Sequence, residues 1–249
     1  MKISVSLILL GLLASTNVVA GPADYVYTPT VEYGERELDL KVGVGQPVNG
    51  DRMNVTSFGV GYGATEYWFT ELYLKREVKG NDGTLGNETL AEWENKFQLL
   101  ETGKFPVELG LITEIEAPIS NAGPWEAKLG PLLQTEFGLV QLNANFLLER
   151  KYASDGGSMQ YPTEAKYQWQ IKYRLQTEFE FGAQGFGSLG EWDKWVNNKD
   201  EENHSVGPAI FGKYVLGNRQ AIKYNAAWLI GSGEGVAERT FRMQAEYEF

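Results

Sequence analysis

The 249-residue chain contains no cysteine and a single histidine, His204. Without cysteine there are no disulfides and no thiolate metal sites, so the chain must hold itself together by other means. Positive charge is scarce as well, with 22 Lys and Arg against 33 Asp and Glu for a formal net charge of −11. An acidic chain with no segregated basic patch repels phosphates, which excludes nucleic acid as a partner. Long hydrophobic runs are also missing. A spanning helix needs roughly 18 or more consecutive apolar residues, and the longest apolar stretch here, at the extreme N-terminus, is shorter. A bundle of membrane helices is therefore excluded.

What is present is apolar bulk in small portions. Hydrophobic residues make up 43% and aromatics 13% of the chain, too much to leave unpacked, so it forms one domain or at most two. At the N-terminus, Lys2 is followed by an apolar segment from Ile3 to Ala14, and Val18-Val19-Ala20 precede Gly21. That order of charge, apolar core and small residues is a secretory signal peptide over residues 1–20. Its removal leaves 229 residues with a charge of −12 outside the cytoplasm. With no cysteine at the cleavage site, the product is not a lipoprotein.

From Glu37 to Phe249 the sequence alternates with period two and is punctuated by Gly, Asn, Asp and Pro. Leu38, Leu40, Val42 and Val44 alternate with Glu37, Asp39, Lys41 and Gly43; Trp68, Thr70, Leu72 and Leu74 alternate with Glu71, Tyr73 and Lys75. The same reading continues through Tyr167, Trp169, Ile171 and Tyr173, and ends on Phe241, Met243, Ala245, Tyr247 and Phe249. It predicts twelve strands. Their connections alternate in length: short turns at Gly63 to Glu66, near Gly138, at Gln176-Thr177 and at Gly217 to Arg219, longer loops at Lys79 to Thr89, Lys151 to Pro162 and Leu189 to Asn203. An even strand number with this asymmetry describes an all-β, up-and-down antiparallel barrel of twelve strands, both termini at the short-turn end. Residues 21–36 are then a periplasmic lead-in and 37–249 the barrel. Pro131 and Pro208 fall mid-strand, where each removes a ladder hydrogen bond and implies a bulge or a bend.

Alternation alone does not say which face is outside, and a soluble lipocalin-like barrel is the competing arrangement. Two features favour lipid. The apolar faces carry no charge, as a hydrocarbon layer requires. Aromatics also gather at the ends of the apolar stripes, Tyr62, Trp68, Phe137, Tyr173, Phe179, Tyr214, Tyr247 and Phe249 near the short turns and Trp93, Trp125, Tyr167 and Trp228 toward the loops, as amphipathic rings do at interfaces. With its last strand reading Phe241-Arg-Met-Gln-Ala-Glu-Tyr-Glu-Phe249, the whole mature chain resembles the Gram-negative outer-membrane β-barrel proteins. The resemblance implies an outer-membrane location in contact with lipid and lipopolysaccharide. It also implies recognition of Tyr247 and Phe249 by the barrel-assembly machinery during biogenesis.

With the apolar faces in lipid, the polar faces line a lumen carrying seventeen acidic and ten basic side chains. Rings of carboxylates concentrate cations. The expected function is a small passive channel for polar or cationic solutes. Its constriction and selectivity would be set near mid-barrel by Glu71, Lys75, Glu94, Lys96, Glu114, Gln170 and Lys172. Two other readings stand beside it: a closed structural or surface-interaction barrel acting through its loops, and an outer-membrane lipid hydrolase. For the last, His204 and Ser205 are adjacent on a strand and point to opposite faces, so they cannot form a nucleophile-base pair. No enzyme and no cofactor is expected. Gly59-x-Gly61-x-Gly63 has no following helix and relieves crowding or bends its strand instead of binding a dinucleotide. Asp193 and Asp200-Glu201-Glu202 form a solvated acidic loop, with Ca²⁺ ligation as the alternative. Trp192 and Trp195 in the same loop are placed to fold over the mouth or stack on sugars.

Overall fold

The computed structural model describes residues 21–46, 52–80, 86–119, 123–153, 160–194, 202–233 and 236–249; the expected signal peptide, Trp195 and Asp200-Glu201 lie outside them. Twelve strands account for most of the described chain: β1 (Arg36–Gln46), β2 (Met53–Thr65), β3 (Trp68–Lys79), β4 (Gly86–Gln98), β5 (Val107–Pro118), β6 (Trp125–Phe137), β7 (Val140–Tyr152), β8 (Gln160–Gln176), β9 (Phe179–Glu191), β10 (Asn203–Gly217), β11 (Gln220–Gly233) and β12 (Arg239–Glu248). Each pairs antiparallel with its sequence neighbours, and β12 returns to β1 to close the barrel. The seam runs from Glu37 opposite Glu248 to Gln46 opposite Arg239, and the Phe249 amide donates to the Arg36 carbonyl at 2.9 Å. Closure leaves no unpaired edge.

The barrel is inside out by the standard of a water-soluble protein. Leu72 is 59% and Ile230 61% exposed, whereas Asp39 is 1% and Glu94 2% exposed. A soluble barrel would place these the other way round, which decides against the lipocalin-like alternative. The exposed apolar surface is the face that a hydrocarbon layer would cover. Two-residue turns join β2–β3, β6–β7, β8–β9 and β10–β11. The last of these has Asn218 and Arg219 at φ 53° and 66°, the double positive φ of the turn that matches strand twist.

Three expectations need correction. Pro131 and Pro208 cause no register shift. Pairing of β6 with β7 stops at Leu129–Leu148 and resumes at Leu132–Asn145 in the same register, and β10 with β11 behaves likewise around Pro208. The missing N–H leaves a gap in the ladder and no bulge. Trp93 does not sit toward the loops: it shares an outward groove with Tyr62, Trp68 and Phe249 on the short-turn side, and its Nε1 donates to Thr70 Oγ1 at 2.9 Å.

The third correction concerns the N-terminal segment. The C-terminus is at the short-turn end as expected, but residues 21–35 do not form a periplasmic lead-in. They thread the lumen, so that Gly21 and Pro22 lie at the long-loop end beside Gly43 and Gly45 of β1. From there the chain descends to a reversal at Tyr33-Gly34, where Gly34 takes φ 78°, and enters β1 at the short-turn end. The hook is fixed by backbone bonds from Gly34 N to Gly63 O and from Gly63 N to Glu35 O, both 2.9 Å.

Candidate functional site: the filled lumen

The segment is extended, so successive side chains reach opposite walls. Val26 packs against Phe186, Phe211 and Leu229 on β9–β11. Tyr27 packs against Ile112, Leu132 and Leu147 on β5–β7, with Tyr25 beside it. The tyrosine hydroxyls meet the charged wall: Tyr25 Oη donates to Glu94 Oε2 at 2.6 Å and Tyr27 Oη to Glu114 Oε2 at 2.8 Å. The backbone of the segment is also held, by Asn145 Nδ2 donating to the Tyr27 carbonyl at 3.0 Å and by Val31 N donating to Gln98 Oε1 at 2.8 Å.

Glycines mark its path along the wall. A Cβ at Gly43 would stand 2.1 Å from the Pro22 carbonyl oxygen, one at Gly63 2.0 Å from that of Glu32, and one at Gly110 2.9 Å from Pro29 Cα. Within the Gly59-x-Gly61-x-Gly63 run, Gly59 makes room for the Tyr73 ring and Gly61 for Phe69. Relief of crowding is thus the role of that motif.

All seven residues expected to line the constriction do face inward. The structure gives each a partner. Glu71 lies 2.7 Å from Tyr73 Oη, which also contacts Asp39 Oδ2 at 2.8 Å. Lys75 sits among Glu77, Glu92 and Glu116. Lys96 lies 4.9 Å from the Phe69 ring centre, Glu114 pairs with Lys128 at 2.8 Å, and Lys172 pairs with Glu180 at 3.3 Å. Gln170 accepts from Gln184 Nε2 at 2.7 Å within an amide-lined wall that includes Asn143, Gln134 and Gln141. Lys41 is the latch between wall and segment, its ammonium 3.6 Å from the Tyr25 ring centre and 3.5 Å from that of Tyr73. Desolvated cation–π contacts of this kind are each worth about 2 kcal/mol.

Sequence reasoning missed the clamps on the segment: Tyr25, Tyr27, Lys41 and the two apolar clusters. Ile112, Leu132, Leu147, Phe186, Phe211 and Leu229 fall on the otherwise polar face, and that irregularity is the readable signal that something covers them.

For a metal, carboxylate oxygens of Glu92, Glu114 and Glu116 lie within 4.8 Å of one another. Lys75 and Lys128 already supply the positive charge there. On the outer face, His204 stands opposite Ser232 in the ladder, but Tyr167 Oη is 2.7 Å from His204 Nδ1, and Glu202 lies 3.9 Å from Nε2. Both ring nitrogens have neighbours other than a nucleophilic serine. Trp192 is exposed and docks by its amide on the Thr163 carbonyl at 2.9 Å. Tyr247 and Phe249 stack with ring centres 5.6 Å apart at the closing seam.

No protein-family model and no curated protein matches the sequence. Among solved structures, an outer membrane channel from Pseudomonas putida F1 is similar with a TM-score of 0.58 at 13% identity, covering 92% of this chain and 98% of that one. The β domain of a Bordetella autotransporter gives 0.56 at 11% identity over 88% and 99%. The NanC porin gives 0.54 at 12% identity over 85% and 98%. The chain has the fold of the Gram-negative outer-membrane β-barrels.

Proposed function

We propose that the protein is a gated outer-membrane channel for small polar or cationic solutes, held shut in this state by its own residues 21–35. The observation that carries the reading is the seating of that segment: wall glycines shaped to its backbone, and side-chain contacts without backbone pairing to any strand along residues 22–31 among the described residues. A barrel of eight strands is just filled by its own side chains, whereas sixteen leave an open channel. Twelve strands leave a bore that a single extended chain occupies. With the segment displaced, the acidic excess of the lining favours cations. The short turns then face the periplasm and the long loops the exterior. The solved channel and porin of the same fold support this reading.

Planar-bilayer conductance tests it. The intact protein is expected to conduct rarely, and a variant lacking residues 22–33 behind an unchanged export signal to conduct steadily with cation preference. Equal and negligible conductance in both, with the barrel folded, overturns the channel reading. The second reading, a closed barrel acting through its loops, is favoured by the two apolar clusters that make the lumen resemble a packed core. It predicts a silent deletion variant.

A further inference from the structure

The two tyrosines of the seated segment show what the lumen wall accepts. The Tyr27 ring lies on Ile112, Leu132 and Leu147, each 1% exposed or less, an apolar patch on an otherwise polar wall. Its hydroxyl reaches Glu114, whose charge Lys128 already balances with contacts of 2.8 and 2.9 Å to the two oxygens. The Tyr25 ring meets that of Tyr27 edge-on, with centres 4.7 Å apart. It stands 3.6 Å from the Lys41 ammonium and gives its hydroxyl to Glu94. Glu94 is 2% exposed, and among the described residues no lysine or arginine nitrogen lies within 4.0 Å of its oxygens, unlike those of Asp39 and Glu114. Its partner is a phenol.

Both slots are built by the barrel and held by contacts within its wall. Three neighbouring strands, β5–β7, supply the apolar patch. Lys41 is kept in place by Asp39 at 3.5 Å and by the Tyr73 ring, and Glu114 by Lys128. Once the segment leaves, the patch and the two carboxyls lose their cover together. A hydrocarbon solute would cover the patch and leave the carboxyl oxygens without a donor. An inorganic cation would meet the carboxyls and leave the patch wet. A ring bearing a hydroxyl satisfies both, with a cation–π contact to Lys41 besides. We propose that the opened lumen binds small p-hydroxyphenyl solutes in the slots that Tyr25 and Tyr27 fill when it is shut, so that solute and segment compete. The proposal rests on the channel reading and gives it a solute class. Its test reads binding and displacement, not conduction.

The probe is p-cresol, the tyrosine side chain without its backbone. The controls are toluene and 4-methylanisole, which lack the O–H and enter detergent more readily, so a micelle effect would favour them. In the full chain, Tyr27→Ala empties one slot, and calorimetry should find p-cresol bound there about ten-fold or more tightly than 4-methylanisole. The chain has no cysteine, so Val26→Cys, with both tyrosines intact, gives one thiol that is buried while the segment is seated. At twice the Kd read from Tyr27→Ala, p-cresol should raise its labelling rate about three-fold, and neither control should. Adding Glu94→Met, which removes an acceptor without stranding a paired cation, should bring the p-cresol response down toward that of 4-methylanisole. A labelling rate that p-cresol leaves unchanged up to its solubility, equal acceleration by 4-methylanisole, or an undiminished response with Glu94→Met would each overturn the proposal. If Tyr27→Ala does not fold, a p-cresol titration of the labelling rate decides alone. Phenol-driven labelling in a protein that never conducts keeps the slots and loses the channel; steady conduction by the variant lacking residues 22–33, with no phenol response in the full chain, does the reverse.

Discussion

Gly43→Ala is the sharpest probe of the seated segment. The added Cβ would lie 2.1 Å from the Pro22 oxygen, 2.2 Å from its carbonyl carbon and 2.5 Å from Ala23 N. All three are backbone atoms of the segment, so no rotamer relieves the clash. None of the three belongs to the barrel wall. Ordinary contact begins near 3.4 Å, so the segment must retreat by about 1.3 Å, an overpacking that costs roughly 1–3 kcal/mol. At about 1.4 kcal/mol per decade, the displaced population should rise about 5- to 140-fold. Adding Gly63→Ala clashes at the other end, 2.0 Å from Glu32 O, so the strain cannot be shed by sliding, and the two effects should multiply. Since the chain has no cysteine, Val26→Cys supplies a single thiol, buried while the segment is seated. Its rate of labelling by a small reagent reads the displaced fraction. Rates unchanged by either glycine substitution, in protein that still shows the heat-dependent gel shift of a folded barrel, would refute the seating.

Three further outcomes follow from the same geometry. Leu74→Lys puts a charge on the middle of an exposed apolar stripe; at a bilayer midplane this should cost about 2–4 kcal/mol and lower the urea midpoint in lipid vesicles. Lys75→Met strips the cation from Glu77, Glu92 and Glu116 and should destabilise the barrel by about 3 kcal/mol. Because the Glu92, Glu114 and Glu116 carboxylates are so close, Ca²⁺ should then raise the Tm of the variant and leave that of the parent unchanged. At the short-turn end, burial pushes the Glu35 carboxyl up to about 7, against the opposing pull of Lys223. A carboxyl whose pKa is higher in the folded barrel favours folding fully below the free value of about 4.5. That contribution is lost as pH rises through 7, so the urea midpoint should fall more between pH 5 and pH 8 in the parent than in Glu35→Gln.

The strands were readable because the solvent on each face imposes a rule at every second position. Leu38 to Val44 and Phe241 to Phe249 cannot slip by one residue without placing Asp39 or Arg242 in lipid, so faces and strand order follow from alternation. The segment 21–35 obeys no such rule. Its partners are single residues far away in sequence, such as Glu94 and Glu114 for Tyr25 and Tyr27. Only indirect traces were present: apolar Ile112, Leu132 and Leu147 on a polar face, inward glycines at 43 and 110 with no stated use, and Gly63 within a run read only as relief of crowding or a bend. The candidate lumen residues were placed correctly by face. Their partners were not legible, because a period of two gives the direction of a side chain and nothing about which opposite wall it reaches.

The way the segment is held also bears on where it would yield. The wall is knit by antiparallel ladders around the whole closed barrel, whereas residues 22–31 pair with no strand and rest on side-chain contacts. Backbone pairing is confined to the hook at Gly34, Glu35 and Gly63. The weakest attachment is therefore the opposite end, near Gly21 and Pro22, and displacement should begin there with Gly34 as the pivot.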